Sequence, residues 1–364
     1  MNSYNSRYHR QILLPEIGEE GQQKIATAKV LVIGAGGLSC PVLQYLAAAG
    51  VGTLGIIDFD HVEASNLHRQ ILYGNSSLGK NKAVAAKERL SDLNPEITIE
   101  AYPEKLTPKN AISLFSKYDI IVDGSDNFST RYLVNDACVI TNKPLVYGAI
   151  FKFEGQLSVF NYLNGPTYRC LFPNPPKAGS VPSCAEIGVL GVLPGIIGSM
   201  QANEVIKIIL DIGDVLSGQF VMYDSLTAKS SMFSVQRVDS EVSKVKNLAS
   251  EFKNTDYDLF CGINTVKEIS ALEAFTRNES LFIDVREASE QPKIDNLHPK
   301  YIPLGTIEQN IDQLDKEKEI VVFCQSGIRS RKAVEILMEH GFTNVCHIKG
   351  GAISLSEYQE SKIA

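Results

Sequence analysis

Between residues 30 and 57 the chain carries no charged side chain, and its apolar positions fall into three blocks: VLVI (30–33), PVLQYLAAA (41–49) and TLGII (53–57). A branched run, a glycine-rich turn, an alanine-rich run and a second branched run predict strand, helix and strand. Runs without apolar–polar alternation suit a parallel sheet buried on both faces. The uncharged stretch is long enough for a membrane span, but its six glycines and one proline follow a strand–turn–helix–strand rhythm that argues against one. Downstream, NKAVAAKERLSDLNP (81–95) predicts a helix that stops at Pro95. ITIEAYP (97–103) and DIIVDGSDN (119–127) predict strands, the second closing in a turn. TRYLVNDACVITN (130–142) predicts a helix, and KPLVYGAI (143–150) a strand.

The pattern then loosens. FPNPPKAGSVPSCAEIG (172–188) predicts a long irregular segment of the kind that is often functional. A long apolar helix follows in PGIIGSMQANEVIKIILDIG (194–213). Residues 239–258 are polar and lack an apolar face, so residues 239–262 read as a linker between a domain at 1–238 and another at 263–364. As flexible chain, about 20 residues would span roughly 25 Å. The second domain begins again with helix, then strands SLFIDV (280–285) and EIVVFC (319–324), helix, and strand NVCHIKGG (344–351).

Composition narrows the function classes. With 364 residues, 44% of them hydrophobic, two packed domains are affordable in core material. The net charge is −7 and neither half is basic, which argues against nucleic acid as a partner. There is no basic amphipathic run to suggest a membrane surface. Seven cysteines, at 40, 138, 170, 184, 261, 324 and 346, form no C-x-x-C pair, and the start MNSYNSRYHRQ lacks a signal-peptide core. A reducing cytoplasm is the expected location.

GAGGLS (34–39) sits between a predicted strand and helix, the context in which a glycine fingerprint means a nucleotide. Gly34 permits the tight turn; Gly36 and Gly37 let phosphate approach backbone N–H groups at a helix N-terminus. Ser39 replaces the third glycine of the dinucleotide form. Asp58, 24 residues after Gly34, is placed to accept from ribose hydroxyls. Asn66, Arg69 and Gln70 follow it in SNLHRQ, then Lys82, and Asp126 stands at the mouth of DGSDN. Two cations and a spare carboxylate suit a triphosphate with Mg²⁺ better than a redox dinucleotide. Against this, Arg69 can be an ordinary surface residue, Asp126 a helix cap, and Lys82 one lysine among many on exposed helix faces.

A second site is suggested by VVFCQSGIRSRKA (321–333), where a strand feeds Cys324 and a helix follows Arg329 after four spacers. A loop between strand and helix can curl its N–H groups toward the sulfur, a nest for negative charge, and lower the thiol pKa.

The motifs RYHRQ (7–11), GAGGLS, DFDHVEASNLHRQ (58–70), DNFSTRYLVND (126–136) and EGQLSVF (154–160) together resemble the MoeB/ThiF family of adenylyltransferases, over roughly residues 4–238. The resemblance implies a Rossmann-like, mostly parallel α/β sheet. It also implies ATP-dependent adenylation of the C-terminal glycine of a ubiquitin-like sulfur carrier protein ending in Gly-Gly. On it, Asp58 holds the ribose, Arg69 and Lys82 contact phosphates, Asn66 and Gln70 complete the pocket, Asp126 binds Mg²⁺, and Arg10 reaches the ATP of a second copy in a homodimer. Family members commonly hold zinc with two C-x-x-C pairs. Here TYRC (167–170) keeps only Cys170, and RVDSEVSKV (237–245) has no cysteine. No zinc is expected, and Cys170 reads as a buried small hydrophobe. Cys184 matches a cysteine that takes part in acyl or disulfide exchange with the carrier, although a free cysteine is often simply buried.

The stretch around Cys324, with FIDVRE (282–287) and NVCHIKGG, resembles rhodanese-like sulfurtransferases over about residues 263–355. That implies a smaller α/β domain in which Cys324 carries a persulfide stabilised by Arg329 and the loop. Phosphatases of related shape use one more spacer between cysteine and arginine. The domain lacks the usual glycine–histidine segment near NLHPKYIPLG (296–305) and the usual tryptophan in GGAISL. The pairing implies a donor of persulfide sulfur, such as a cysteine desulfurase. The competing functions are a nicotinamide-dependent dehydrogenase and a non-catalytic scaffold that binds the carrier.

Overall fold

A computed structural model describes residues 6–176, 188–262, 266–277 and 279–363. The chain divides into two compact units, Met1–Cys261 and Gly262–Ala364.

The first unit is built on eight strands: β1 Lys29–Ile33, β2 Thr53–Ile57, β3 Thr98–Tyr102, β4 Ile120–Asp123, β5 Leu145–Phe151, β6 Glu154–Phe160, β7 Gln219–Asp224 and β8 Lys229–Ser234. Their order across the sheet is β3-β2-β1-β4-β5-β6-β7-β8. The first five pair in parallel and the last three continue as an antiparallel meander. Alternate residues of β1 face opposite layers, as strand geometry requires. Val30 and Val32 pack with Leu43, Leu46, Ala86 and Val205; Leu31 and Ile33 pack with Leu114, Phe115, Leu133 and Ala137. The helices supplying these residues include α1 Ser39–Ala49, α2 Lys82–Leu93, α3 Phe128–Thr141 and α4 Leu193–Leu210. Strand order reverses between β1 and β4, so the loops after β1, β2 and β4 open into one crevice, where such sheets bind ligands. No helix among the described residues is long and apolar enough to cross a membrane.

The expected linker is corrected by the structure. Residues 239–247 form helix α5 Asp239–Asn247, whose Val242 and Val245 pack on Val139 of α3. Phe252, Tyr257 and Cys261 enter the core beneath the sheet. The Tyr257 hydroxyl donates to Asp136 Oδ2 at 2.7 Å, and Arg169 donates to both oxygens of the same carboxylate, each at 2.7 Å. The Arg169 guanidinium lies 4.7 Å from the centre of the Phe260 ring. Apolar residues spaced this sparsely among charges do not read as an amphipathic face, yet together they anchor the segment to the first unit. It is therefore not a free tether. Asp136 is fully buried, so Asp136→Ala strands a buried guanidinium and a phenol. It should lower the unfolding free energy by about 3–5 kcal/mol, measured by urea denaturation.

The second unit contains β9 Lys267–Ile269, β10 Leu281–Asp284, β11 Lys300–Tyr301, β12 Ile320–Phe323 and β13 Val345–Ile348, in the order β11-β10-β12-β13-β9. All pairings are parallel. Helices α6 Ile328–Glu339 and α7 Gly351–Ile363 follow β12 and β13. β12 is buried along its whole length, which places the loop after it at the carboxyl end of a central strand.

Candidate active site

The glycine loop after β1 is shaped by close approaches. Gly34 has φ +82°, and a Cβ there would sit 3.2 Å from the Gly124 carbonyl oxygen. Gly124 has no room for a side chain either, because a Cβ would run into Ser39 Oγ. This accounts for the unexpected serine: the space that a third glycine would provide on α1 is provided by Gly124 after β4. Gly36 has open space where a side chain would be, with only Gln70 Nε2 nearby at 3.8 Å. Its backbone is bare toward the crevice.

Asp58 follows β2 directly. Its carboxylate accepts from Ala35 N at 2.7 Å and from Asp60 N at 2.8 Å, which ties it to the glycine loop. Burial pushes the carboxyl above its ordinary pKa, and these two N–H donors and Lys82 offset part of that. Asn81 caps α2 by accepting from Val84 N at 3.2 Å, while its amide donates to the Asp58 carbonyl at 2.9 Å. That cap fixes Lys82, which is buried at the start of α2 with Nζ 3.1 Å from Asp60 Oδ2. The Tyr73 hydroxyl lies 2.9 Å from Ala35 O and 3.1 Å from Lys82 O, spanning glycine loop and helix. Sequence reasoning did not single out Tyr73, Asn81 or Asp60; an aromatic amid turns carries no motif.

Arg69 is half-buried. Its guanidinium donates to Ser65 O at 3.1 Å and to Asn66 Oδ1 at 3.0 Å, and its stem lies 3.5 Å from where a Cβ on Gly37 would be. Gln70 is buried, and its Oε1 has no hydrogen-bond partner among the described residues. Asp126 is exposed and does not cap α3; Asn127 does, accepting from Thr130 N at 2.9 Å. The bland explanation of Asp126 as a cap is thereby removed. Around the end of β4 further buried polar atoms have no hydrogen-bond partner among the described residues: Ser39 Oγ, Arg131 Nε and Gln201 Oε1. Folded proteins keep few such atoms, so their concentration beside the crevice suits a polar ligand. Gly34, Gly36, Gly37, Asp58, Asn66, Arg69, Gln70 and Lys82 are thus gathered at the carboxyl ends of β1 and β2, with the Asp126 loop against Gly34.

The other residues are placed differently. Arg10 is exposed on the short helix His9–Ile12, and no hydrogen bond or ion pair among the described residues ties it to the glycine loop. Cys184 lies outside the described residues. Cys170 is half-buried, and so is not the fully enclosed hydrophobe expected; its sulfur accepts from the N–H groups of Thr167 and Val238, both at 3.3 Å. Val238, from the chain that leads into α5, brings the second of these backbone donors to the sulfur.

In the second unit, Cys324 follows β12, and Gly327, with φ +97°, turns its N–H to the sulfur at 3.1 Å. Burial alone would push this thiol up. The Ser330 hydroxyl and the N–H groups of Ser330, Ser326 and Gly327 outweigh it, and the pKa lies below the ordinary cysteine value. The thiolate fraction at neutral pH is correspondingly larger. The Ser330 hydroxyl also donates to the Gly327 carbonyl at 3.1 Å; Ser330→Ala should lower the rate of alkylation of Cys324 by iodoacetamide at pH 7. The loop is held from both sides. Arg286, 1% exposed, is bonded to Asp284 and donates to Gln325 Oε1 at 2.9 Å. Ala352 N donates to Cys324 O at 2.7 Å, and Gly351 lies so close to that carbonyl that no side chain fits.

Arg329 is close enough to Cys324 for the two charges to interact. Its guanidinium is also clamped by both oxygens of Glu290, at 2.7 and 2.6 Å. A planar guanidinium and a carboxylate match two bonds at once, and that pairing offsets part of the positive potential Arg329 lends the loop.

The ThiF family model matches residues 8–244, and the rhodanese-like domain model matches residues 269–356. The sulfur carrier protein adenylyltransferase of Thermus thermophilus is 50% identical over 262 residues, covering 71% of this chain and 96% of its own. The probable adenylyltransferase/sulfurtransferase MoeZ of Mycobacterium tuberculosis is 38% identical over 374 residues, covering 98% of this chain and 93% of its own. Among solved structures, E. coli MccB with MccA-N7isoASN shares the fold, with a TM-score of 0.57 at 24% identity, over 65% of this chain and 74% of that one.

Proposed function

This chain belongs to the ThiF family and continues into a rhodanese-like domain, and from that premise we propose that it adenylates the C-terminal glycine of a ubiquitin-like sulfur carrier ending in Gly-Gly and then converts that end to a thiocarboxylate. It is an adenylyltransferase with sulfurtransferase activity. The observation that carries the reading is the crevice itself: a bare glycine backbone at Gly36, the cations Arg69 and Lys82, and Asp126, which no cap occupies.

ATP is the co-substrate. Asp58 receives the ribose hydroxyls with Asn66 and Gln70 completing the pocket, Gly34, Gly36 and Gly37 accommodate the phosphates, and Arg69 and Lys82 hold phosphate oxygens. Asp126 is the residue that would hold Mg²⁺, which when bound neutralises negative charge on those oxygens. Arg10 serves the nucleotide of a second copy in a homodimer. The carrier's carboxylate is already ionised at neutral pH, so no general base is needed. It attacks the α-phosphorus and pyrophosphate leaves, and the protein's task is alignment and charge neutralisation.

Sulfur reaches Cys324 from a persulfide donor such as a cysteine desulfurase. The outer sulfur of the Cys324 persulfide attacks the activated acyl carbon, displacing AMP and leaving an acyl disulfide. A thiolate at Cys184 then attacks the Cys324 sulfur, releasing the thiocarboxylate and leaving a Cys184–Cys324 disulfide for a dithiol to reduce. No structural zinc is part of this reading, which is supported by the backbone N–H partners and the apolar Val139, Val242 and Val245 around Cys170. The cytoplasm, where thiols stay reduced, fits both cysteines.

Pyrophosphate release on mixing the chain with ATP, Mg²⁺ and a carrier ending in Gly-Gly tests the adenylation step. A dehydrogenase would turn over a nicotinamide cofactor instead, and a scaffold would bind the carrier without releasing pyrophosphate. Either result would displace this reading.

A further inference from the structure

Building on the reading of Cys324 as a persulfide carrier, we infer that Glu290 selects the sulfur donor: by neutralising Arg329 at the mouth of the Cys324 loop, it disfavours small dianions of the thiosulfate type and reserves the loop for the persulfide of a protein thiol. Two guanidiniums flank the loop, and among the described residues each is held by a carboxylate. Arg286 gives its bonds to Asp284, Gln325 and the Pro292 carbonyl. Arg329 gives both terminal nitrogens to Glu290. Glu290 is held down to about 2 by Arg329, so the pair stays ionised throughout the neutral range. The loop's own N–H groups are turned on the Cys324 sulfur. Beside the Arg329–Glu290 pair the rim presents two uncharged residues to solvent: Ile328, 78% exposed, and Ser326. The wider field points the same way, since residues 262–364 hold 12 basic against 16 acidic side chains.

The chemistry is the same for either donor. The Cys324 thiolate attacks the outer sulfur, a new S–S bond forms at Cys324, and the donor's S–S bond breaks. Sulfite leaves from thiosulfate and a thiolate leaves from a persulfide, with no net electrons required. The donors differ in what must approach the loop. Thiosulfate brings two negative charges and has no apolar body, so without a free cation its binding is weak. A protein persulfide brings its own surface to cover Ile328 and a single ionisable sulfur.

The test loads the full chain from thiosulfate or from a cysteine desulfurase carrying its persulfide, and follows sulfur on Cys324 by mass spectrometry. In the unaltered chain, kcat/KM from the protein persulfide should exceed that from thiosulfate by at least about tenfold, the scale of one unscreened unit charge a few ångströms from a dianion. Glu290→Gln should narrow the ratio by about tenfold through a lower KM for thiosulfate, an effect that fades with added salt. Glu290→Asp, which keeps the charge, should retain the ratio. Equal use of both donors by the unaltered chain, or a ratio that Glu290→Gln leaves in place, overturns the inference while the persulfide reading stands. Failure of Cys324 to accept sulfur from either donor overturns both.

Discussion

Replacing Asp126 with alanine is expected to lower carrier-dependent pyrophosphate release by about 10²–10³-fold, the usual consequence of deleting one group that stabilises charge in a closed site. The expectation rests on what Asp126 does not do. It is exposed, it does not cap α3, and Asn127 performs that service. Removing its carboxylate therefore leaves the helix start intact, and stability should change by no more than about 0.5 kcal/mol. The two measurements together separate a role in phosphate chemistry from a role in folding. Release unchanged in the variant would remove Asp126 from the site. A large drop in melting temperature accompanying the lost activity would reassign it to structure.

The second large effect belongs to the other unit. Cys324→Ala should abolish persulfide loading and thiocarboxylate formation, with pyrophosphate release retained. Cys324 has no part in aligning a carboxylate with ATP, and the loop around it is held by contacts that do not involve its sulfur: Arg286 to Gln325, and Ala352 N to the Cys324 carbonyl. An alanine should keep the loop's path. Intact-mass analysis of the chain after incubation with a persulfide donor reads the loading directly. Sulfur still accumulating on residues 262–364 of the variant would mean that another thiol there, such as Cys346, is the carrier. That is chemically less favourable, because burial pushes Cys346 up to about 11.

How much of this could be read from residues alone follows a physical line. The parallel half of the first sheet was legible because VLVI and TLGII are buried on both faces, leaving uninterrupted apolar runs. The antiparallel half was not. EGQLSVF was noticed only as a motif, and β8, Lys229–Ser234, is exposed along its whole length, so no alternation marks it. The segment 239–261 failed for a related reason. Five buried residues, Val242, Val245, Phe252, Tyr257 and Cys261, hold it down, and one of its ties is a phenol bonded to Asp136, 121 residues away. Local pattern carries no trace of such a partner. The glycine loop, Asp58 and Cys324 were legible because each needs a particular residue type in a particular turn. Glu290 was not, since its meaning lies in Arg329, 39 residues on. Gly124 was hidden too, as its need for a bare backbone comes from Ser39 on another element.

The most direct test of the account is the intact mass of a ubiquitin-like carrier ending in Gly-Gly after incubation with this chain, ATP–Mg²⁺ and a persulfide-loaded donor. The account predicts a carrier in which one terminal oxygen has been replaced by sulfur, formed only when ATP is present. A carrier that keeps its carboxylate while pyrophosphate is released, or that gains sulfur without ATP, would contradict the claim that activation and sulfuration are joined in one chain.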